Sequence, residues 1–193
     1  MRKIGITLSL GFLVFGLFAF ALSNSEKMRP DSLVNWLSWE DAMEKSKIEK
    51  RKIFVDVYTM WCGWCKRMDS ATFQQPYIAN YLNEHYYPVK FDAEYKKDIV
   101  FKGKTYQFVK SGKKGYHQLA AEITRGRLSF PTIVFLDEKW NILQPIPGFK
   151  NANTFEQIIT YFGEDQYKKT PWATYQKNYK PLPKVIPASN AGN

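Results

Sequence analysis

Apolar residues in this chain fall first into one uninterrupted block and then into short periodic runs. The block, Ile4 to Leu22, carries no charge and follows Arg2 and Lys3. Ser23 to Asn35 is polar and reads as a linker. Ser38 is followed three residues later by Asp41, the spacing of a capping hydroxyl and carboxylate. Behind it Trp39, Ala42, Met43 and Ser46 recur at helical spacing, predicting a helix over about 39–50. Ile53 to Tyr58 is short and almost continuously apolar, the pattern of a buried central strand. A second helix is expected from the cysteine-bearing segment that follows, running towards Ser70. Pro76 suits the first turn of another helix, reaching about His85. Tyr86 to Phe91 reads as a second strand.

From Tyr95 to Arg127 the pattern is irregular. Ile99-Val100-Phe101 and Tyr106-Gln107-Phe108-Val109 flank Lys102-Gly103-Lys104-Thr105, which predicts one hairpin. Ser111 to Gly115 reads as a loop and Tyr116 to Ile123 as a helix. Thr132 to Leu136 is a strand, Asp137 to Asn141 a turn, and Ile142 to Ile146 a further strand. Asn153 is placed as the cap of a last core helix ending near Gly163, with Glu156 in the reciprocal position. Thr170-Pro171 predicts a short helix through Tyr179. Pro181-Leu182-Pro183 and the tail after it are expected to be extended and mobile. The predicted fold is an α/β sandwich around a mixed central sheet, spanning 36–163, with an insertion over about 95–127 and an extension over 164–193.

Composition adds little to this picture. A chain of 193 residues, 45% hydrophobic, suits one core plus accessories. The 28 Lys and Arg against 18 Asp and Glu give +10, but the basic residues are scattered in groups such as Lys50-Arg51-Lys52, Lys96-Lys97 and Lys113-Lys114. Such scatter reads as solvated faces, and no nucleic-acid-binding motif accompanies it, so a nucleic-acid partner is not expected. The N-terminus says more. A positive end, an apolar run and Ala19-Phe20-Ala21 form the pattern of a cleavable signal peptide. Counted to Leu22, the run is also long enough to span a bilayer. Residues 1–23 are read as a signal peptide or an N-terminal membrane anchor over 4–22, with cleavage favoured. The rest of the chain is then expected to be exported to the periplasm or cell envelope, where disulfides persist.

Both cysteines of the chain lie in Thr59-Met60-Trp61-Cys62-Gly63-Trp64-Cys65-Lys66. With a strand before and a helix after, Cys62 falls at a helix N-terminus, where unpaired N–H groups and the helix dipole stabilise a thiolate. Cys65 lies one turn later, close enough to bridge. The expected division of labour makes Cys62 the nucleophile that forms a mixed disulfide and Cys65 the thiol that resolves it. A zinc half-site completed by His85 and His117 is a rival, disfavoured by the spacing of the histidines. A structural disulfide and a noncatalytic binding module are the others.

The segment Val55 to Lys66 resembles the active site of the thioredoxin superfamily. "WCGWCKRMDSATF" with the later "VKFDAE" is similar to the thioredoxin-like branch that includes the C-terminal domain of the envelope electron conductor DsbD. The likeness covers about residues 36–163. It implies a thioredoxin fold and disulfide exchange without a metal or organic cofactor. It implies that Pro131, in "SFPTIVFLDE", follows a cis peptide bond beside the cysteines, with Phe130 offering backbone groups to an extended peptide. It also implies that Asp56 lies behind Cys65 and assists its deprotonation, with Lys90 as a partner. Trp61, Gly63 and Trp64 would contact the substrate; Trp61 is expected to pack at the rim and Trp64 to be exposed, where thioredoxin itself has proline. Tyr58, Met60 and Arg127 could border the site, though filler is the readier account of them. The implied partners are proteins with disulfides or dithiols and a membrane electron donor of DsbD type.

Overall fold

The computed structural model describes residues 32–184 apart from Lys113. The expected leader, most of the linker and the end of the tail lie outside the described residues. Helix α1 (Trp39–Ile48) begins as predicted, with the Ser38 hydroxyl accepting the Asp41 N–H at 3.0 Å. Strand β1 (Lys52–Tyr58), helix α2 (Gly63–Met68), a π-helical turn (Asp69–Phe73), α3 (Pro76–His85) and β2 (Tyr86–Asp92) follow. Two hairpins come next: β3 (Ile99–Phe101) with β4 (Lys104–Tyr106), and β5 (Phe108–Ser111) with β6 (Lys114–His117). The chain is completed by α4 (Gln118–Ile123), β7 (Thr132–Leu136), β8 (Ile142–Pro147), α5 (Ala152–Gly163), a 3-10 turn (Gln166–Lys168) and α6 (Trp172–Asn178).

Four strands make the central sheet in the order β2-β1-β7-β8. β1 and β2 are parallel, with Val55 opposite Val89 and Asp56 opposite Lys90. β7 is antiparallel to both neighbours and sets Ile133 beside Asp56. Side chains alternate across the strands, so each face receives its own core. Val55, Val57, Val89 and Val134 pack with Trp39, Trp140 and the α4 residues Leu119 and Ile123. Phe54, Ile133 and Phe135 pack on the opposite face with Met68, Phe73, Leu82, Phe155 and Ile159. Asp56 shares the parity of Phe54 and therefore points to that second face.

The insertion departs from its prediction. The first hairpin turns on two residues, Lys102 and Gly103, both at positive φ (49° and 76°). That is the two-residue hairpin geometry, and it returns Lys104 and Thr105 to a strand. The segment expected to be a loop and then a helix is the second hairpin. Gly112, at φ 59°, turns the chain so that Lys114–His117 pair with Phe108–Ser111. Helix α4 therefore starts at Gln118, with His117 as its cap: the imidazole accepts the Leu119 N–H at 3.2 Å.

The last core helix is also capped differently. Asn151, not Asn153, accepts the Thr154 N–H at 2.9 Å. Glu156 lies inside α5, buried, and takes the Tyr179 hydroxyl at 2.8 Å and the Leu182 N–H at 2.5 Å. The Tyr175 hydroxyl meets Thr160, and that of Tyr161 donates to the Thr170 carbonyl. The extension is thus bound to the domain as far as Leu182, and Pro181-Leu182-Pro183 has neither helix nor strand, in keeping with the extended form expected.

Candidate active site

Between the end of β1 and the start of α2 the backbone turns once, and the Cys62 N–H donates to the Thr59 carbonyl at 3.1 Å. Cys62 occupies the N-cap of α2, and its sulfur accepts the Cys65 N–H at 3.1 Å. Both cysteines are buried and joined, with an S–S length of 2.11 Å. This places the Cys62 sulfur among unpaired N–H groups, where negative charge is favoured once the bond is opened. Apart from its chain neighbours and its own helix backbone, no atom lies within 4 Å of where a Cβ on Gly63 would stand, so the space beside Gly63 is open.

Two tryptophans flank this opening. Trp64 is 60% exposed, with Phe149 at 5.6 Å between ring centroids and the Arg67 guanidinium 5.8 Å from its ring. Trp61 is 55% exposed, more open than a packing role requires. Its indole N–H donates to the Glu94 carboxylate at 3.1 Å, and its ring meets Phe130 edge-on at 6.0 Å. The Lys114 ammonium stands 3.8 Å from the same ring. The Phe130–Pro131 bond is cis, as the resemblance implies, and β7 starts at the next residue. The Pro131 carbonyl accepts the Gly148 N–H at 2.7 Å, which ties this corner to the end of β8.

Behind the cysteines lies a buried charge cluster. Asp56 is 1% exposed, so it is not a solvent-facing strand-end residue. The Lys90 ammonium, its neighbour across β1 and β2, donates to Asp56 Oδ2 at 2.6 Å. Lys90 also donates to Asp69, which follows Cys65 by one helical turn and whose own N–H bonds the Cys65 carbonyl. The cluster therefore sits below the turn that carries the second cysteine. Rings of Trp36, Tyr58 and Phe73 surround the ammonium at 4.9, 5.0 and 5.3 Å. Burial pushes the Asp56 carboxyl above the ordinary carboxylate range, and Lys90 offsets only part of that rise. Burial pulls Lys90 down, but the two carboxylates outweigh it and hold the amine above its usual value. The other oxygen of Asp56, Oδ1, has no hydrogen-bond partner among the described residues. A buried acid of raised pKa is a stronger proton acceptor than an ordinary carboxylate.

The remaining expectations are met unevenly. Tyr58 forms part of the wall over Lys90, and Met60 is exposed at the rim. Arg127 is exposed, and its N–H bonds the Thr124 carbonyl in the turn before β7. His85 packs on Tyr81, while His117 is buried between the Lys97 carbonyl and the Leu119 N–H, and among the described residues no three His, Cys, Asp or Glu side chains gather as the zinc reading requires. Asp69, Glu94 and Lys114 were not singled out by the sequence. The signal for Asp69 was present: four residues after Cys65, it lies on the same helical face. Glu94 and Lys114 carried no such signal, because a hairpin in an irregular stretch brings them together.

Comparison with known proteins supports the fold. Spermatogenesis-associated protein 20 of Rattus norvegicus is 36% identical over 67 residues, 34% of this chain, which spans 8% of that protein's length. A thioredoxin-fold protein from Helicobacter pylori superposes with a TM-score of 0.51 at 18% identity, covering 66% of this chain and 83% of that one. The oxidised C-terminal domain of DsbD from Neisseria meningitidis gives a TM-score of 0.43 at 17% identity, covering 67% of this chain and 97% of that domain. The fold is a thioredoxin fold, and it carries a Cys-x-x-Cys pair at bonding distance. The family model for DsbH-type thioredoxins, described as proteins of unknown function, DUF255, matches residues 23–144, more than half of the chain, and the protein belongs to that family.

Proposed function

We propose that the chain is an exported thiol–disulfide oxidoreductase that works as a reductase on partner proteins. One observation carries this reading: Cys62 and Cys65 close a disulfide across the first turn of α2, with Cys62 at the N-terminal end. In the reduced protein the Cys62 thiolate attacks a partner disulfide. A Cys62–partner bond forms, and one partner sulfur leaves as a thiolate and takes up a proton. Cys65 gives its proton towards Asp56 and attacks the Cys62 sulfur. The second partner thiol is released and the Cys62–Cys65 bond closes. Two electrons have passed to the partner, and a dithiol donor must return them. A membrane donor of DsbD type fits the resemblance of residues 36–163.

Phe130 and Pro131 border the position for an extended peptide, and Trp61, Gly63 and Trp64 form its exposed side. The leader reading of residues 1–23 supports a periplasmic or envelope location, with anchoring by 4–22 if it is not cleaved. The reaction described uses no metal or organic cofactor.

The test is the reduction potential of residues 24–193, equilibrated with glutathione or dithiothreitol. A value near about −270 mV supports a reductase fed by a donor, and one near about −120 to −180 mV an oxidase or isomerase. Absence of a reversible couple, or partner binding with no turnover, would leave a binding module. Cys62→Ser is expected to abolish turnover.

A further inference from the structure

The second hairpin stands beside the redox motif and builds a wall that a minimal domain would lack. A cleft of about 350 Å³ lies between β5–β6 and Trp61, lined also by Glu94, Lys96, Phe108, Lys110 and Lys114. A smaller recess of about 160 Å³ reaches from the same wall to Thr59, Leu128 and Phe130. The two share Trp61, Glu94, Lys114 and Gly115, so they are two ends of one groove. That groove runs from the hairpin to the residue before the cis proline, which is where a bound peptide would continue past Cys62.

The groove is basic and aromatic. Lys114 stands over Trp61 at 3.8 Å, and Lys96 over Phe108 at 3.1 Å. Lys110 is exposed on the same strand as Phe108. None of the three ammonium groups forms an ion pair among the described residues. The carboxylate lining the cleft, Glu94, already accepts the Trp61 indole N–H. At the inner end, the buried Thr59 hydroxyl has no hydrogen-bond partner among the described residues. Three cations without ion pairs, two of them over ring faces, match a peptide with carboxylates next to its cysteine.

We infer that this groove is a subsite for acidic residues flanking the cysteine of a partner protein, so that the insertion selects substrates by charge. The inference rests on the exchange reaction proposed above. Exposed charges at a rim act mainly on the rate of encounter and are weakened by salt, which gives the effect a signature.

The test uses three disulfide-bridged peptides of one loop size, with glutamate, glutamine or lysine on both sides of one cysteine. Their rates of reduction by the reduced protein are compared at low and high salt. The wild-type protein is expected to favour the acidic over the basic peptide by about 10-fold at low salt. The ratio should shrink towards unity in about 1 M salt. Lys110→Met/Lys114→Met should remove most of the preference, and Lys110→Glu/Lys114→Glu should reverse it. The wild-type salt series needs no variant and stands even if one fails to fold. Equal rates for the three peptides, or a basic preference, overturn the subsite while leaving the exchange reading intact. If the glutamine peptide is reduced no faster than without protein, both readings fall.

Discussion

Two lysines on the neighbouring strands β1 and β2 each hold two carboxylates, and the two clusters do different work. Lys52, at the start of β1, pairs with Glu138 at 2.9 Å and Asp165 at 3.2 Å. Lys90, in β2, pairs with Asp56 and Asp69. The inventory is the same, and the solvent differs. Glu138 and Asp165 are 39% and 34% exposed, so water shares the charge. Burial pushes Asp165 up, but Lys168 and Lys52 outweigh it and hold the carboxyl below its ordinary value. Around Lys90 the balance reverses, because Asp56 has no water to share with and its carboxyl rises. One cluster fastens the fold; the other holds the buried acid to which the proposed exchange assigns the proton transfer. The difference teaches that an ion pair's role is decided by the depth of its acid, not by its partners.

The comparison breaks most visibly at Lys90. Lys90→Met leaves the buried Asp56 without a cation, and removing one member of a buried pair costs about 3–5 kcal/mol. The loss should be largest at alkaline pH and smaller in mild acid, where Asp56 takes up a proton; urea unfolding at several pH values measures it.

Asp56→Asn sharpens the contrast from the other side. It should slow resolution of the mixed disulfide by about 100-fold, the lower range for loss of a general base, and flatten the pH profile of exchange. Stability should not fall with it. A folded-state pKa raised above the unfolded value means the contribution is present at low pH and lost as pH rises through the folded value. At neutral pH Asp56 therefore works against folding, and the variant should unfold at equal or higher urea.

Lys52→Met should cost only about 1 kcal/mol, since its acids are screened. Asp165 gives the opposite pH trend: its depressed pKa adds stability above the unfolded value, lost as pH falls through the folded one. The acid limb of the unfolding curve should flatten slightly in this variant.

The smallest effect concerns His117. Burial lowers its pKa, with the Lys97 carbonyl opposing. Unfolding then takes up a proton, so stability should rise with pH between the folded value and about 6.5, the unfolded one. His117→Gln should remove that step.

The parts of the fold governed by short-range pattern were legible in the sequence. Ser38, Pro76 and the apolar run of β1 act within one turn or one strand, and their elements stand where they were expected. The cysteine pair and cis Pro131 were legible too, the latter through resemblance alone. What failed were choices settled at a distance. Asn151 and Asn153 are equally good caps locally, and the helix starts from Asn151. Glu156 fits a capping position, yet its partners are 23 and 26 residues away. Lys114 to His117 could join the following helix until Phe108 to Ser111 offer a strand to pair with. The neighbours of Trp61 depend on that hairpin and were therefore hidden along with it.

The binding of the tail to α5 bears on how small this protein can be made. Trp172, Tyr175 and Leu182 cover the outer side of the α5 core, and Glu156 latches the chain there through Tyr179 and Leu182. A copy trimmed to the length of an ordinary thioredoxin, ending at Gly163, would lose that aromatic layer and bare Tyr161 and Phe162 beneath it as an adhesive surface. The autonomous unit of this chain therefore extends to Leu182, and the added helix is its outer wall.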